Sequence, residues 1–377
     1  MRLAARQCLC RRRADRHLRV ARAGRIAAGA LALALAAAGA GLATALGLPL
    51  PILLGSLVLV ATVSALGLRV GSLAPALPQN LRLAFVPIIG VSIGGAFHPG
   101  LLAEAATWWP SLLGLGLFVP MAMGASYLIY RRLGGLDATT ATFAAVPGGL
   151  IEALAMGEQA GADMQMLTML HFLRLIGCIL LVPFGFWVLT GTLVGSAGGT
   201  TMPGSGVALT LRDIGVLIAV GVLGATGGKR IGLPGYTITG PVLLSGAAHL
   251  AGLTTAVPPH WLVQMTQLVI GASLGCRFAG LPRGALPKAL GLALLSVVVV
   301  LALGFGFATL LHGAVGQRVT TVFLAFAPGG VAEMSLVALS LHVSVVYVTA
   351  HHVARIVLAV VVAGLAGRRL PPRTPAN

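Results

Sequence analysis

The chain has 377 residues, 57% hydrophobic and 9% charged, with a formal net charge of +17 and a mean hydropathy of +0.98. A soluble domain of this size carries roughly a quarter charged residues, so composition excludes an ordinary soluble enzyme. The charge does not point to nucleic acid either: nine of the 25 Lys and Arg lie in residues 1–25, and most others fall in short loops between apolar segments. That distribution marks the cytoplasmic side of a membrane protein.

In chain order, residues 1–25, with "CLCRRRADRHLRVARAGR", read as a basic cytoplasmic tail attracted to anionic lipid headgroups. Apolar segments follow at 26–46, 49–67, 81–98, 108–130 and 164–190, several of them near the ~20 residues that cross a bilayer. A Pro-Gly-Gly element occupies 137–162. The Gly/Ser/Thr-rich stretch at 191–210 reads as a linker. Beyond it, apolar segments recur at 212–228, 235–252, 261–280, 286–311 and 346–367, with a second Pro-Gly-Gly element at 319–344. Residues 368–377 read as a cytoplasmic C-terminal tail. Four cysteines supply no disulfide framework.

The second set repeats the first. At an offset of 181 (333 − 152), "AVPGGLIEALA" (145–155) falls on "FAPGGVAEMSL" (326–336), and "IIGVSIGGAF" (88–97) falls on "VIGASLGCRF" (269–278). Thr139-Thr140 falls on Thr320-Thr321, His171 on His352, and Arg174 on Arg355. The chain is therefore a duplication, with one membrane repeat at 26–190 and another at 211–367. Duplicated membrane proteins are commonly transporters with parallel or inverted repeats. The cations arbitrate between the two. Outside residues 1–25 and leaving aside Arg174 and Arg355, a topology of five crossings per half places 12 cations on one side. Only Arg212 and Arg318 fall opposite. Six crossings per half would split them 9 to 5. The expected fold is thus an all-α polytopic integral membrane protein. It has two inverted repeats of about five transmembrane helices, each with a Pro-Gly-Gly re-entrant or broken helix. Both termini are expected in the cytoplasm, with the protein in the bacterial inner membrane.

Glu152 and Glu333 stand in the first turn after each break, and an ionisable group at membrane depth is by default a functional candidate. Each reads as a carboxylate for a proton or cation, or as a first-turn acid facing a helix N-terminus. His171 and Arg174 share one helix face, as do His352 and Arg355. Each Arg either pairs with the Glu of its own half or faces a cavity and binds an anionic group. The histidines either relay protons or are ordinary hydrogen-bonded side chains. Pro147, Gly148 and Gly149, with Pro328, Gly329 and Gly330, build the tips, where a turn with positive φ is expected. Thr139, Thr140, Thr320 and Thr321 read as helix caps or as side chains bonded back to their own helix. No metal ligand set, cofactor fingerprint or nucleophile motif is present.

Two copies of P-G-G-x-x-E, each followed by a membrane helix with H-x-x-R, resemble the bacterial AbrB-type membrane duplication family. Its members are also labelled ammonia monooxygenases or membrane-bound regulators. The resemblance spans about residues 26–367. "APGGVAEMS" is the closer match, and in the first copy Ala153 stands where the second has Met334. It implies either a transporter or a membrane-embedded regulator acting on gene expression through a partner. An ammonia monooxygenase would need copper, for which the chain offers no ligand set. The function expected first is non-enzymatic: a secondary transporter of a small, anionic solute coupled to H⁺ or Na⁺. Its partners would be the lipid bilayer and the solute, without nucleic acid, and a homodimer is open.

Overall fold

The computed structural model describes residues 2–71, 73–190 and 209–369. Most of the expected linker and the C-terminal tail lie outside the described residues. Among those described the fold is helical, with one isolated bridge between Val70 and Leu73. The elements are α1 (Arg2–Ala45), α2 (Pro51–Ala65), α3 (Gln79–Gly94), α4 (Leu101–Ala105) and α5 (Trp109–Leu128), which runs into a π-helical turn (Ile129–Leu133). Then come α6 (Ala138–Ala144), α7 (Leu150–Gln159) and α8 (Met164–Thr190). The second set is α9 (Leu211–Arg230), α10 (Tyr236–Leu250), α11 (His260–Gly275) with a 3-10 turn (Cys276–Phe278), α12 (Leu286–Leu311), α13 (Val319–Phe326), α14 (Val331–Ser340) and α15 (Val345–Gly367). Helices α3, α6, α7 and α8 begin 181 residues before α11, α13, α14 and α15 (79 to 260, 138 to 319, 150 to 331, 164 to 345).

Among the described residues six helices are long and apolar enough to cross a membrane: the Gly24–Ala45 part of α1, α5 with its π-helical turn, and α8, α9, α12 and α15. Their outer faces carry exposed Leu113, Leu117, Ile218, Val222, Leu223 and Leu310, which suits lipid and not water. This is a multi-pass membrane protein. The segments at 49–67, 81–98, 235–252 and 261–280 give shorter helices of 15 or 16 residues, about 22–24 Å long. Residues 2–25 are helical and continuous with the apolar part of α1, whose 44 residues extend about 66 Å.

Small residues let the helices touch backbone to backbone. α1 meets α2 where Gly39 faces Gly55, and α9 meets α10 where Gly224 faces Gly240; a Cβ at any of these would collide with facing backbone. The halves also exchange partners. α2 packs on α11, with Gly271 against Ser56 and Leu53, and Gly275 against Val60. Reciprocally, α3 packs on α10, with Gly90 against Ile238 and Pro241, and Gly94 against Ser245. α12 lies on α8 and α5 on α15 in the same reciprocal way. α5 and α12 touch in opposite senses, Gly114 beside Leu311 and Gly134 beside Leu292, and the Ser126 and Ser296 hydroxyls bond at 2.8 Å. Phe118, Phe307 and Phe326 join α5, α12 and α13 through ring contacts of 5.1–5.6 Å.

Two clamped helix breaks form the candidate functional site

Each Pro-Gly-Gly element is two short helices with an irregular joint. α6 is capped at its start by Asp137, whose carboxylate accepts from the Thr140 amide at 3.0 Å. The threonines therefore do not cap α6; the Thr140 hydroxyl accepts instead from the Asp163 amide at 2.8 Å. Beyond α6 the helix cannot continue through Pro147, which lacks an N–H. Gly149, at φ +62°, then opens α7 in the left-handed region that glycine tolerates. The second joint differs. Ala327 leaves α13 at ψ 136°, and Gly330 is extended at φ −75°, ψ 152°, so no left-handed residue is needed. Gly330 is there for space: a Cβ would run into the Glu333 carboxylate. At Gly149 an added Cβ would lie 3.2 Å from Glu152 Oε2. The glycine therefore precedes the glutamate by three residues in both copies because the carboxylate curls back over the helix N-terminus.

A helix that stops inside a membrane leaves its last carbonyls without partners. The H-x-x-R pairs supply them. Arg174 donates from Nη1 to the Ala144 carbonyl at 3.0 Å and from Nη2 to the Val146 carbonyl. Arg355 donates from Nη1 to the Ala327 carbonyl and from Nη2 to the Gly329 carbonyl at 2.6 Å. The histidines complete the pattern: Nε2 of His171 donates to the Phe143 carbonyl at 3.0 Å, and Nε2 of His352 to the Leu324 carbonyl at 2.9 Å. Nδ1 of each ring accepts from the neighbouring arginine, at 3.1 and 3.0 Å. Donating at Nε2 and accepting at Nδ1 is the neutral imidazole. The planar, forked guanidinium suits this work because it reaches two carbonyls at once. Both arginines thus bond to backbone, and in neither half do they ion-pair with the glutamate.

The first break reaches the helix whose arginine clamps the second. Gly148 lies against α15, where a Cβ would be 3.7 Å from Arg355 Nε, and Gly149 abuts Val360 and Ile356. Cys178, buried on α8, is within electrostatic range of Arg174, Arg355 and Glu333. Glu333 is 2% exposed, and its Oε1 has no hydrogen-bond partner. Glu152 is half-buried and forms no salt bridge among the described residues. The cation nearest Glu333 is one that sequence reasoning passed over. Arg82, near the start of α3, has Nη2 3.9 Å from Glu333 Oε1. Its equivalent in the second copy is Val263 (82 + 181). A lone charge in an otherwise apolar segment, absent from its repeat, was the available signal. Among the described residues no three His, Cys, Asp or Glu side chains gather as a metal site.

Known proteins place this architecture. The chain is 25% identical over 288 residues to "Uncharacterized protein YhjN" of Bacillus subtilis (strain 168), covering 72% of this chain and 74% of that protein. It is 25% identical over 268 residues to "Putative regulator AbrB" of Escherichia coli (strain K12), covering 70% and 74%. A family described as Transition state regulatory protein AbrB matches residues 69–370, most of the sequence, and the chain belongs to that family.

Proposed function

We propose that this chain is a secondary transporter of the bacterial inner membrane that moves a small anionic solute coupled to H⁺ or Na⁺. It would work by alternating access between two inverted repeats, with both termini cytoplasmic. Several contacts support the topology. The Asp163–Thr140 bond puts the start of α8 beside the start of α6, and His171 and Arg174 then climb α8 alongside the end of α6. Because α6 and α8 rise together, α7 between them runs back toward its entry side, as a re-entrant hairpin does. The Ser335–Thr349 bond at 2.9 Å holds α14 against α15 in a matching return. The opposed senses of α5 and α12 fit inverted repeats, and so does the one-sided distribution of cations.

The observation that carries the function is Glu333. A carboxylate buried to 2% exposure, with one oxygen unbonded, stands in the first turn after a helix break. Transporters place coupling-ion sites at discontinuous helices of this kind. In this reading Glu333 and Glu152 carry the coupling ion, Arg174 and Arg355 hold the tips in shape, and residues 147–149 and 328–330 face the solute. The test is flux in proteoliposomes loaded with a pH-sensitive dye. Small carboxylates and Na⁺ should each be offered to wild type, Glu333→Gln and Glu152→Gln. Glu333→Gln should abolish coupled flux; flux at the wild-type rate in both variants refutes the assignment.

A second reading has one observation in its favour, the regulator names carried by the family and by the Escherichia coli relative. Under it, a membrane-embedded regulator alters gene expression through a partner. Deleting residues 1–25 separates the two: lost regulation with membrane insertion and flux intact favours the regulator.

A further inference from the structure

The bonds that occupy Arg174 and Arg355 raise a question about the solute. Both guanidinium groups are spent on backbone carbonyls, so an anion needs other cations. Two of the arginines that have no counterpart in the other half are candidates. Arg82 of α3 corresponds to Val263, and Arg277, in the 3-10 turn after α11, corresponds to Ala96 (96 + 181). These two unrepeated cations lie within electrostatic range of each other. Arg277 sits over the Phe172 ring, 5.1 Å from its centre, and is the more exposed of the pair. Arg82 faces Glu333.

The Arg82–Glu333 contact is incomplete. A charge-assisted hydrogen bond closes to about 2.7–2.9 Å, whereas this pair stands at 3.9 Å. Glu333 Oε1 and Arg82 Nε are both buried and both lack a hydrogen-bond partner. An ion pair with a buried carboxylate and a half-exposed guanidinium beyond hydrogen-bond reach gains little against the cost of burying the carboxylate, and it is a poor structural clamp. With Glu333 ionised, the two arginines and one carboxylate carry a net +1; with Glu333 protonated they carry +2. Cys178 on α8 is within electrostatic range of Glu333, and α15, which packs on α14, carries Tyr347, His351, His352 and Arg355, the last three bonded to backbone carbonyls. α13 contributes none.

We propose that Arg82 and Arg277 receive the carboxylate group of the solute, and that Glu333 holds that place on Arg82 until it is protonated. This rests on the transport reading and deepens it. The solute class follows from the occupant: the group already facing Arg82 is a carboxylate, so a ligand that replaces it is one too. When the solute carboxylate bonds to Arg82, Glu333 takes up one proton from water, and charge in the cleft is conserved. Release reverses both events. Anion and proton therefore bind together because they share one guanidinium.

The test uses full-length protein in nanodiscs, weakly buffered near neutral pH, titrated with acetate, lactate, succinate and citrate at fixed ionic strength. Binding is read from thermal stabilisation and proton uptake from a pH dye. At least one carboxylate should bind, with uptake near one proton per chain. Glu333→Gln should bind it about tenfold more tightly and take up no proton. Arg82→Gln should weaken binding by about 10- to 100-fold, and Arg82→Lys should restore part of it. Arg277→Gln, on a more exposed turn, repeats the test should Arg82→Gln fail to fold. No carboxylate bound by wild type, binding untouched by Arg82→Gln, or proton uptake persisting in Glu333→Gln would each overturn the proposal. Binding with proton uptake but no flux would remove the transport reading and leave this site standing. Carboxylate flux unslowed by Arg82→Gln would do the reverse.

Discussion

Replacing Arg355 with methionine tests whether the breaks are held as described. The side chain is 1% exposed and its fork serves the carbonyls of Ala327 and Gly329. A hydrogen bond to a charged group contributes about 1.5–3 kcal/mol net, so losing both should destabilise the fold by about 3–6 kcal/mol. Methionine fills similar space, so cavity formation adds little. Arg355→Lys, whose compact ammonium serves one carbonyl more readily than two, should lose about half as much. Unfolding by SDS in mixed micelles, followed by circular dichroism, gives the free energies. If Arg355→Met unfolds within about 1 kcal/mol of wild type, the guanidinium is not what holds the break and the clamp is wrong.

Three further outcomes follow from the geometry. Gly330→Ala should displace the Glu333 carboxylate and so abolish coupled flux in the proteoliposome assay, whereas Gly149→Ala should chiefly cost stability, about 1–2 kcal/mol for a left-handed residue. Valine at Gly39, Gly55, Gly224 or Gly240 should separate helices whose backbones touch, lowering the unfolding free energy in SDS by 1–3 kcal/mol or more. In a background lacking native cysteines, Asp137→Cys and Asp163→Cys should react with an impermeant maleimide from one side of the membrane, and Arg318→Cys and Ser344→Cys from the other. Reaction of Asp137→Cys and Asp163→Cys from opposite sides would rule out the re-entrant hairpin.

The sequence makes the repeat and its breaks legible because both depend on residue identity at fixed spacing. A proline followed by two glycines marks a break, whereas lone prolines such as Pro87, Pro120, Pro183 and Pro241 stay inside helices, and the 181-residue offset needs no coordinates. The work of the arginines was not legible. Spacing puts Arg174 beside His171 on one helix face, but that each fork turns toward carbonyls of a different helix depends on how α8 packs on α6. The expectation of positive φ holds at Gly149 and not at Gly330, where the glycine is required by the bulk of Glu333. The repeat does not mark Arg82, because it stands at one of the places where the halves differ.

The exchange of partners between α2 and α11, and between α3 and α10, carries a consequence for biosynthesis. When the ribosome has completed only residues up to 190, the glycines of α3 that will seat α10, and the face of α2 on which α11 packs, are still bare. The nascent half then leaves those faces of α2 and α3 uncovered until the second half arrives. Cutting the gene within codons 191–208 should therefore yield two products that accumulate when made in the same cell and are degraded when made apart.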